Sequence, residues 1–479
     1  MGFLWGRVMN GLPVLCCACL KLQRENAQLK KHNQELAAEN LQLRQQLEEA
    51  RRSNHRQTTR FPRDHHKKRR RRPGQKQGHD ASQRPTPTPE EVSRVIDVPA
   101  PTHCPCCSEK LIERRVVVQY QTDLPPIVPI ITQFNVEVGK CPRCQRLQRG
   151  RHEEQTSEAL GAAKHTIGPV ALTMAAEMKH QFGVPYRKIC DFFETYCDLH
   201  VAPATLVRAE QRLTELAKPT YELLIEALRL CHVVHADETG WRIGRVNAWL
   251  WVFSSKETTI YVIRRSHGHD VPEEILGAFD GYLIVDGLKS YDVLDVAKGR
   301  CNGHLLRRCK ELEQTLPKVQ QKWAVALKEL LQDALALAQQ RDELAADVYA
   351  KRVARIEDRL DAWIDAVPTQ DADVNRLVNH VASHRGEWLV FLHDAEVPAT
   401  NNHAERMIRP AVITRKVGGC NKTLKGAAVH GVLASLIATC RQQGRRFLDL
   451  AKRLWAGDVS QAIKISDLPE PPNALGSAA

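Results

Sequence analysis

Val233-Val234-His235-Ala236-Asp237 and Tyr282-Leu283-Ile284-Val285-Asp286-Gly287 are two short apolar runs that each end on an aspartate. Runs of this length, rich in β-branched residues and closed by a polar or glycine position, read as strands. Between them, residues 248–253 and 259–263 read as two more strands. Polar connections around Gly244 to Asn247 and Ser254 to Glu257 make the first three an antiparallel meander, and a helix over 272–279 precedes the run at Tyr282. Two apolar strands that each deliver an aspartate near the C-terminal end fit neighbouring positions in one sheet. Taken singly, each aspartate is an ordinary strand-end turn residue; together they have the geometry that a pair of metal ions requires.

The third carboxylate lies in Thr400-Asn401-Asn402-His403-Ala404-Glu405-Arg406-Met407-Ile408-Arg409-Pro410. Ala404, Met407, Ile408, Ala411 and Val412 recur at helical spacing and form the apolar stripe of a packed helix, with Asn402, Glu405 and Arg409 on a neighbouring polar side. The plain reading of Glu405 and Arg409 is a solvated i,i+4 pair worth a few tenths of a kcal/mol. The chemical reading joins Glu405 to the two aspartates. In-line phosphodiester chemistry uses two divalent cations about 4 Å apart, one for the attacking and one for the leaving oxygen. Hard Mg²⁺, or Mn²⁺, takes carboxylate oxygens and keeps room for water and phosphate. On this reading Asp237 bridges the ions, Asp286 holds one and Glu405 the other, with Asn402 orienting the carboxylate. Arg307, Arg308, Arg406 and Arg409 are candidates for phosphate contacts. Pro410 removes a backbone donor and crowds the Arg406 carbonyl, so a kink or helix end is expected there.

Between Asp286 and Glu405 lie 118 residues, far more than one connection needs. Residues 323–340, 343–367 and 373–383 carry helical periodicity, which predicts a helical insertion that returns the chain to the sheet near Thr400. A helix over 427–441 closes that domain, and 444–479 reads as a tail. Upstream, 167–230 is helical with a break near Asp198 and a second helix opening at Ala202-Pro203, which fits either a helix-turn-helix for DNA or two plainly packed helices.

The N-terminal part is different in kind. Leu22, Leu29, Leu36 and Leu43 repeat every seven residues with Asn26, Asn33, Asn40 and Leu47 at the alternate seam positions. That pattern predicts a dimeric coiled coil whose polar seam trades stability for register; a single amphipathic helix docked on its own chain is the other reading. Thirteen Lys and Arg against Asp64 and Asp80 in residues 51–84 supply eleven of the thirteen net positive charges. This run, which includes Arg69, Arg70, Arg71 and Arg72, and the proline-rich stretch that follows it read as a flexible, nucleic-acid-facing linker. Cys104-Pro105-Cys106-Cys107 and Cys141-Pro142-Arg143-Cys144 are two Cys-x-x-Cys knuckles, able to hold one structural Zn²⁺ through Cys104, Cys107, Cys141 and Cys144, with Cys106 or His103 as possible substitutes. Strands over 115–120 and 133–138 are expected between them. Fifteen cysteines, several in apolar patterns, indicate free thiols in a reducing compartment. The apolar N-terminus is interrupted by Arg7, Asn10 and Pro13 and makes at most a weak signal peptide, and no uninterrupted apolar run is long enough to span a bilayer.

Four motifs in order, His235-Ala236-Asp237-Glu238-Thr239, Val285-Asp286-Gly287-x-x-Ser290-Tyr291, Cys301-Asn302-Gly303-His304-Leu305-Leu306-Arg307-Arg308 and Asn402-His403-Ala404-Glu405-Arg406-x-Ile408-Arg409-Pro410, resemble those of the IS66-family transposases. The zipper and paired knuckles match that family's arrangement too, so the likeness runs from about Leu22 to Trp455. The resemblance implies a DDE triad of Asp237, Asp286 and Glu405 on an RNase H-like α/β core, with Cys301 and His304 in a Cys-x-x-His element of supporting role. Leu288 and Asn302 stand where the family usually has aromatics. It further implies an insertion-sequence transposase that binds element ends, cleaves DNA and transfers strands with two Mg²⁺ or Mn²⁺ ions, works as a homodimer or larger assembly in the bacterial cytoplasm, and is joined by small accessory proteins of the same element. Two rivals stay open: an inactive, zinc-containing DNA-binding regulator, and an RNase H-like nuclease without strand transfer. The expected multidomain order is coiled coil 20–50, linker 51–98, zinc module 99–150, helical domain 151–230, catalytic domain 231–310 with 393–443, helical insertion 311–392 and tail 444–479.

Overall fold

The computed structural model describes residues 25, 26, 28–36, 39, 85–112, 115–157, 165–366, 372–457 and 462–469. The basic run at 51–84, with Arg69 to Arg72, and most of the heptad stretch lie outside the described residues. The heptad residues that are described are helical and exposed, Leu29 by 60% and Leu36 by 42%. The chain divides into two units, Met1–Gln121 and Thr122–Ala479. Among the described residues no helix is long and apolar enough to cross a membrane.

The second unit begins with a small hairpin, β1 (Val138–Lys140) and β2 (Leu147–Arg149), followed by helices α1 (Pro169–His180), α2 (Tyr186–Cys197) and α3 (Pro203–Arg229). The break between α2 and α3 falls at Asp198, which takes the left-handed conformation, φ 47°. Then come β3 (Val233–Ile243), β4 (Val246–Ser254), β5 (Thr259–Arg264), α4 (Asp270–Leu276), β6 (Tyr282–Val285), β7 (Ala297–Arg300) and α5 (Asn302–Thr315). The insertion is α6 (Lys318–Gln339), α7 (Ala346–Asp365) and α8 (Ala372–Ser383). The chain closes with α9 (Asn402–Gly418), α10 (Leu424–Gln442) and α11 (Phe447–Ala456).

Five strands form one mixed sheet in the order β5-β4-β3-β6-β7. The meander β3-β4-β5 is antiparallel, whereas β6 runs parallel to β3 and β7 parallel to β6. Strand alternation sends Val234, Ala236, Trp251, Phe253, Leu283 and Val285 into a core shared with α1, α2, α3, α10 and α11. On the other face Trp241, Leu250, Val252 and Tyr261 meet Ala404, Ile408 and Ala411 of α9, while Ile284 joins Leu305 and the insertion's Leu327, Leu331, Leu360 and Trp363. The edge strand β5 is covered by α10: Ser435 Oγ accepts from the Tyr261 amide at 2.8 Å and Thr439 Oγ1 from the Thr259 amide at 3.1 Å. Those hydroxyls satisfy donors that an open edge would offer to another chain. Gly431 permits the approach, since a Cβ there would lie 2.9 Å from the Tyr261 carbonyl oxygen.

Three expectations are corrected. Residues 115–120 and the stretch before Val138 form no strand; Val116, Val117 and Val118 are exposed, with no sheet to bury them. Of the kink or helix end expected at Pro410, the end is not found: the helix runs on to Gly418, with Ala411 and Thr414 beyond the proline buried. Residues 447–456 are not a tail: α11 buries Phe447, Leu450, Leu454 and Trp455 in the first core.

A buried polar network links α1, α2, α3 and α10. His180 Nε2 lies 3.1 Å from Glu210 Oε2, which also accepts from the Tyr186 hydroxyl, and His180 Nδ1 lies 2.9 Å from His430 Nδ1. If His180 donates to the carboxylate through Nε2, its Nδ1 is an acceptor, and His430 must donate through its own Nδ1. The other His430 nitrogen, Nε2, is then a bare acceptor, and it is buried without a partner. A proton there would be a charge with nothing to bond, and burial, then His180 and Lys179, hold His430 well below its ordinary pKa. A histidine depressed in the fold contributes stability that is complete above the unfolded value, about 6.5, and is lost as pH falls below it, by up to about 1.4 kcal/mol per pH unit. His430→Asn, which keeps a donor toward His180, is therefore expected to lose less stability than the parent between pH 6.5 and 5. Urea unfolding midpoints at the two pH values measure the difference.

Candidate active site

β3 lies at the centre of the sheet, and its parallel pairing with β6 fixes where the aspartates fall. Val233 pairs with Tyr282, Val234 with Leu283 and His235 with Ile284. The pairing ends there; two residues further along each chain stand Asp237, still in β3 and turned by alternation away from the first core, and Asp286, just past the end of β6. Asp286 begins the turn after β6: its Oδ1 accepts from the Leu288 amide at 2.9 Å, and Arg300 Nη1 donates to its carbonyl at 2.9 Å. Arg300, 2% exposed, is held in turn by Asp292, by Glu387 at 2.6 Å and by His384 at 3.0 Å.

Glu405 comes from the first turn of α9, and that helix is latched to β3 by Asn401. Asn401 is 1% exposed; its Nδ2 donates to the Ala236 carbonyl at 2.7 Å, its Oδ1 meets His235 Nδ1 at 3.0 Å, and its amide donates to Cys301 Sγ at 3.2 Å. One side chain thus ties the helix carrying Glu405 to the strand carrying Asp237. Asn402, the expected orienting residue, is exposed instead. Glu405 Oε1 lies 3.8 Å from His304 Nε2.

The carboxylates perturb one another. Burial, then the neighbouring Asp286 and Glu405, push Asp237 up to about 6 against the opposing pull of the Glu238 amide and His304. Glu238, which reasoning from sequence did not single out, is pushed up to about 8 by burial and by Asp286 and Asp237. It meets the buried Tyr291 hydroxyl at 3.3 Å and His267 Nε2 at 3.6 Å. Nothing in the sequence marks Glu238 out: adjacent strand residues point to opposite faces, so an Asp-Glu pair reads as one inward and one outward group. The crowd of acids is a set of hard oxygen donors with unrelieved mutual repulsion, the condition that a divalent cation removes.

Cys301 and His304 stand beside this cluster. Cys301, 3% exposed, follows β7 and caps the start of α5, with its amide donating to the Val285 carbonyl at 2.9 Å. Asn302, in place of an aromatic, donates through Nδ2 to the carbonyls of Trp388 at 3.0 Å and Ala399 at 3.1 Å, and so pins the chain returning from the insertion. A cavity of about 260 Å³ opens between Asp286, Arg300, Cys301, His304, Arg308, His380 and Trp388. Of the candidate phosphate ligands, Arg307, Arg406 and Arg409 are exposed on α5 and α9, and Arg308 is shared with Glu311 at 3.5 Å and Asp373 at 3.4 Å.

The two cysteine knuckles fall in different units. In one, the Cys104 amide donates to the Glu109 carbonyl and the Ser108 amide to the Cys104 carbonyl; in the other, Cys141 pairs in the same manner with Arg146 and Gln145. Ser108 and Gln145 both take the left-handed conformation, at φ 59° and 58°. The backbone amides of Cys106 and Cys107 lower the Cys104 thiol, and those of Cys144 and Arg143 lower Cys141.

A sequence model described as "Transposase IS66 family" matches residues 164–429, more than half of the chain. The uncharacterized protein y4jD of Sinorhizobium fredii is 24% identical over 409 residues, covering 77% of this chain and 76% of that protein. The uncharacterized protein y4hP of the same organism is 22% identical over 429 residues, covering 81% and 74%.

Proposed function

The chain belongs to the IS66 family of transposases, and from that premise we propose that it is an insertion-sequence transposase that binds element ends and catalyses both DNA cleavage and strand transfer at Asp237, Asp286 and Glu405. Family membership implies DNA as substrate and divalent cations as cofactors. The strand order, with three antiparallel strands followed by two parallel ones and the first aspartate on the central strand, supports an RNase H-like core. The observation that carries the reading is the parallel β3–β6 pairing, which ends two residues before Asp237 and Asp286, together with the Asn401 latch that brings Glu405's helix to the same strand.

The donor set fits Mg²⁺ or Mn²⁺: three carboxylates from three separate elements, with Asp237 and the adjoining Glu238 raised first by burial and then by their acidic neighbours. Two such ions, when bound, supply positive charge to the attacking and leaving oxygens of an in-line displacement. The chain's own groups do the positioning. Arg300 and the Leu288 amide fix the Asp286 turn, Asn401 fixes α9, and Arg307, Arg406 and Arg409 offer guanidinium groups to the DNA backbone beside the acids. The like turns of the two knuckles, each by itself, support metal binding by thiolates, through Cys104 and Cys107 in one and Cys141 and Cys144 in the other, and the heptad supports dimerisation.

The test uses duplexes that carry the element's own ends. With Mg²⁺, the expected result is cleavage at those ends, and joining of pre-cleaved 3′-hydroxyl ends to target DNA. Cleavage without joining would make the protein a nuclease; binding with neither would make it a regulator.

A further inference from the structure

The Cys-x-x-His pair read from sequence is two ligands short of a metal site. The structure supplies one of them: among the described residues, Cys301, His304 and Glu405 form the one group of metal-binding side chains whose ligand atoms all lie within 4.8 Å of one another. A tetrahedral zinc with a sulfur bond near 2.3 Å and nitrogen and oxygen bonds near 2.0–2.1 Å needs its ligand atoms about 3.3–3.6 Å apart. His304 Nε2 and Glu405 Oε1 are already 3.8 Å apart.

The ligands are held by backbone. Cys301 and His304 sit three residues apart at the start of α5 and so share one helix face, while Glu405 enters from the first turn of α9. Cys301 Sγ accepts from the Asn401 amide at 3.2 Å. The adjoining cavity leaves room for a water or phosphate oxygen as fourth ligand. A thiolate, an imidazole and one carboxylate select a borderline-soft ion over Mg²⁺, which takes hard oxygens.

We propose that Cys301, His304 and Glu405 form a Zn²⁺ site distinct from the carboxylate pair of Asp237 and Asp286, and that zinc bound there claims Glu405 and opposes divalent-ion catalysis. This rests on the reading of Glu405 as the third catalytic carboxylate. Two metal demands then meet on one side chain, and zinc acts as a brake that a chelator releases.

The experiment measures zinc bound per chain of the full-length protein after chelator treatment, reloading with Zn²⁺ in excess Mg²⁺, and desalting. One more equivalent is expected in the parent than in Cys301→Ser or His304→Gln, and that equivalent survives in Asp286→Asn. Cobalt in place of zinc should show a sulfur-to-metal charge-transfer band that disappears with Cys301→Ser. Cys141→Ser removes the knuckle's equivalent separately, so failure of one site is distinguishable from failure of the other. Zinc is further expected to slow parental Mg²⁺-dependent cleavage by more than about tenfold, with that sensitivity absent from Cys301→Ser whatever its own rate. Circular dichroism confirms that the variants fold. Equal zinc in the parent and in folded Cys301→Ser and His304→Gln would overturn the proposal. Loss of the extra equivalent in Asp286→Asn would also overturn it, by showing zinc merely replacing Mg²⁺ between the aspartates. An Asp286→Asn protein that still transfers strands would instead refute the catalytic reading and leave the zinc count standing.

Discussion

Asp286→Asn is expected to reduce both end cleavage and strand transfer by on the order of 10³-fold or more, since loss of even an outer partner of a metal ligand takes away about 10–100-fold. The substitution keeps an acceptor for the Leu288 amide and removes only the charge and the basic oxygen. End binding should persist or strengthen, because a negative charge beside the DNA backbone disappears. The metal-free variant should melt no lower than the parent. Asp286 helps to raise both Asp237 and Glu238, so its neutralisation relieves repulsion in the folded state. Gel-shift, cleavage and joining assays on one preparation, with a melting curve, separate these effects. Strand transfer retained at the parental rate would remove Asp286 from the triad.

Asn401→Ala is expected to lower both stability and rate. It leaves the Ala236 carbonyl and His235 without their partners in a buried place, at about 1–3 kcal/mol for each orphaned group, and frees α9 to shift relative to β3. A rate loss of about 10–100-fold follows from misplacing Glu405 without removing it. Asn401→Asp should be worse than alanine: it keeps an acceptor for His235 but loses the donor to Ala236 and buries a charge near the other carboxylates. Chemical denaturation together with cleavage rates at saturating Mg²⁺ measures both. Full activity in a destabilised Asn401→Ala would show that the latch serves the fold alone.

How far these residues could be read from the chain follows from what each depends on. Val233 to Asp237 and Tyr282 to Asp286 were legible because an apolar run ending on an acid has few other readings, and the structure pairs the two strands in parallel. Their register was not legible, since either strand could slide by two residues and keep its buried face. Asn401 was passed over for Asn402 because two adjacent asparagines at a helix start look alike. The choice is made by Ala236 and Cys301, which are distant in sequence. The continuation of α9 past Pro410 and the burial of α11 were missed for a related reason: tertiary packing overrode local signals that pointed to helix end and tail. The insertion's three helices were found within a few residues because each presents a long apolar stripe.

That insertion leaves the sheet after β7 and returns at Ala399, where Asn302 binds both its carbonyl and that of Trp388, so the chain departs and re-enters at nearly one point. Closing so long a detour carries an entropic penalty that grows only slowly with length, and the insertion's own core around Leu327, Leu360, Trp363 and Val378 offsets it. The order of folding follows. β3 and β6 can pair while the chain is still being synthesised, but Glu405 cannot reach them until the insertion has folded. On the proposed triad, a chain whose insertion has not folded holds Asp237 and Asp286 without their third carboxylate, so loosening the insertion far from any carboxylate is expected to delay the appearance of activity.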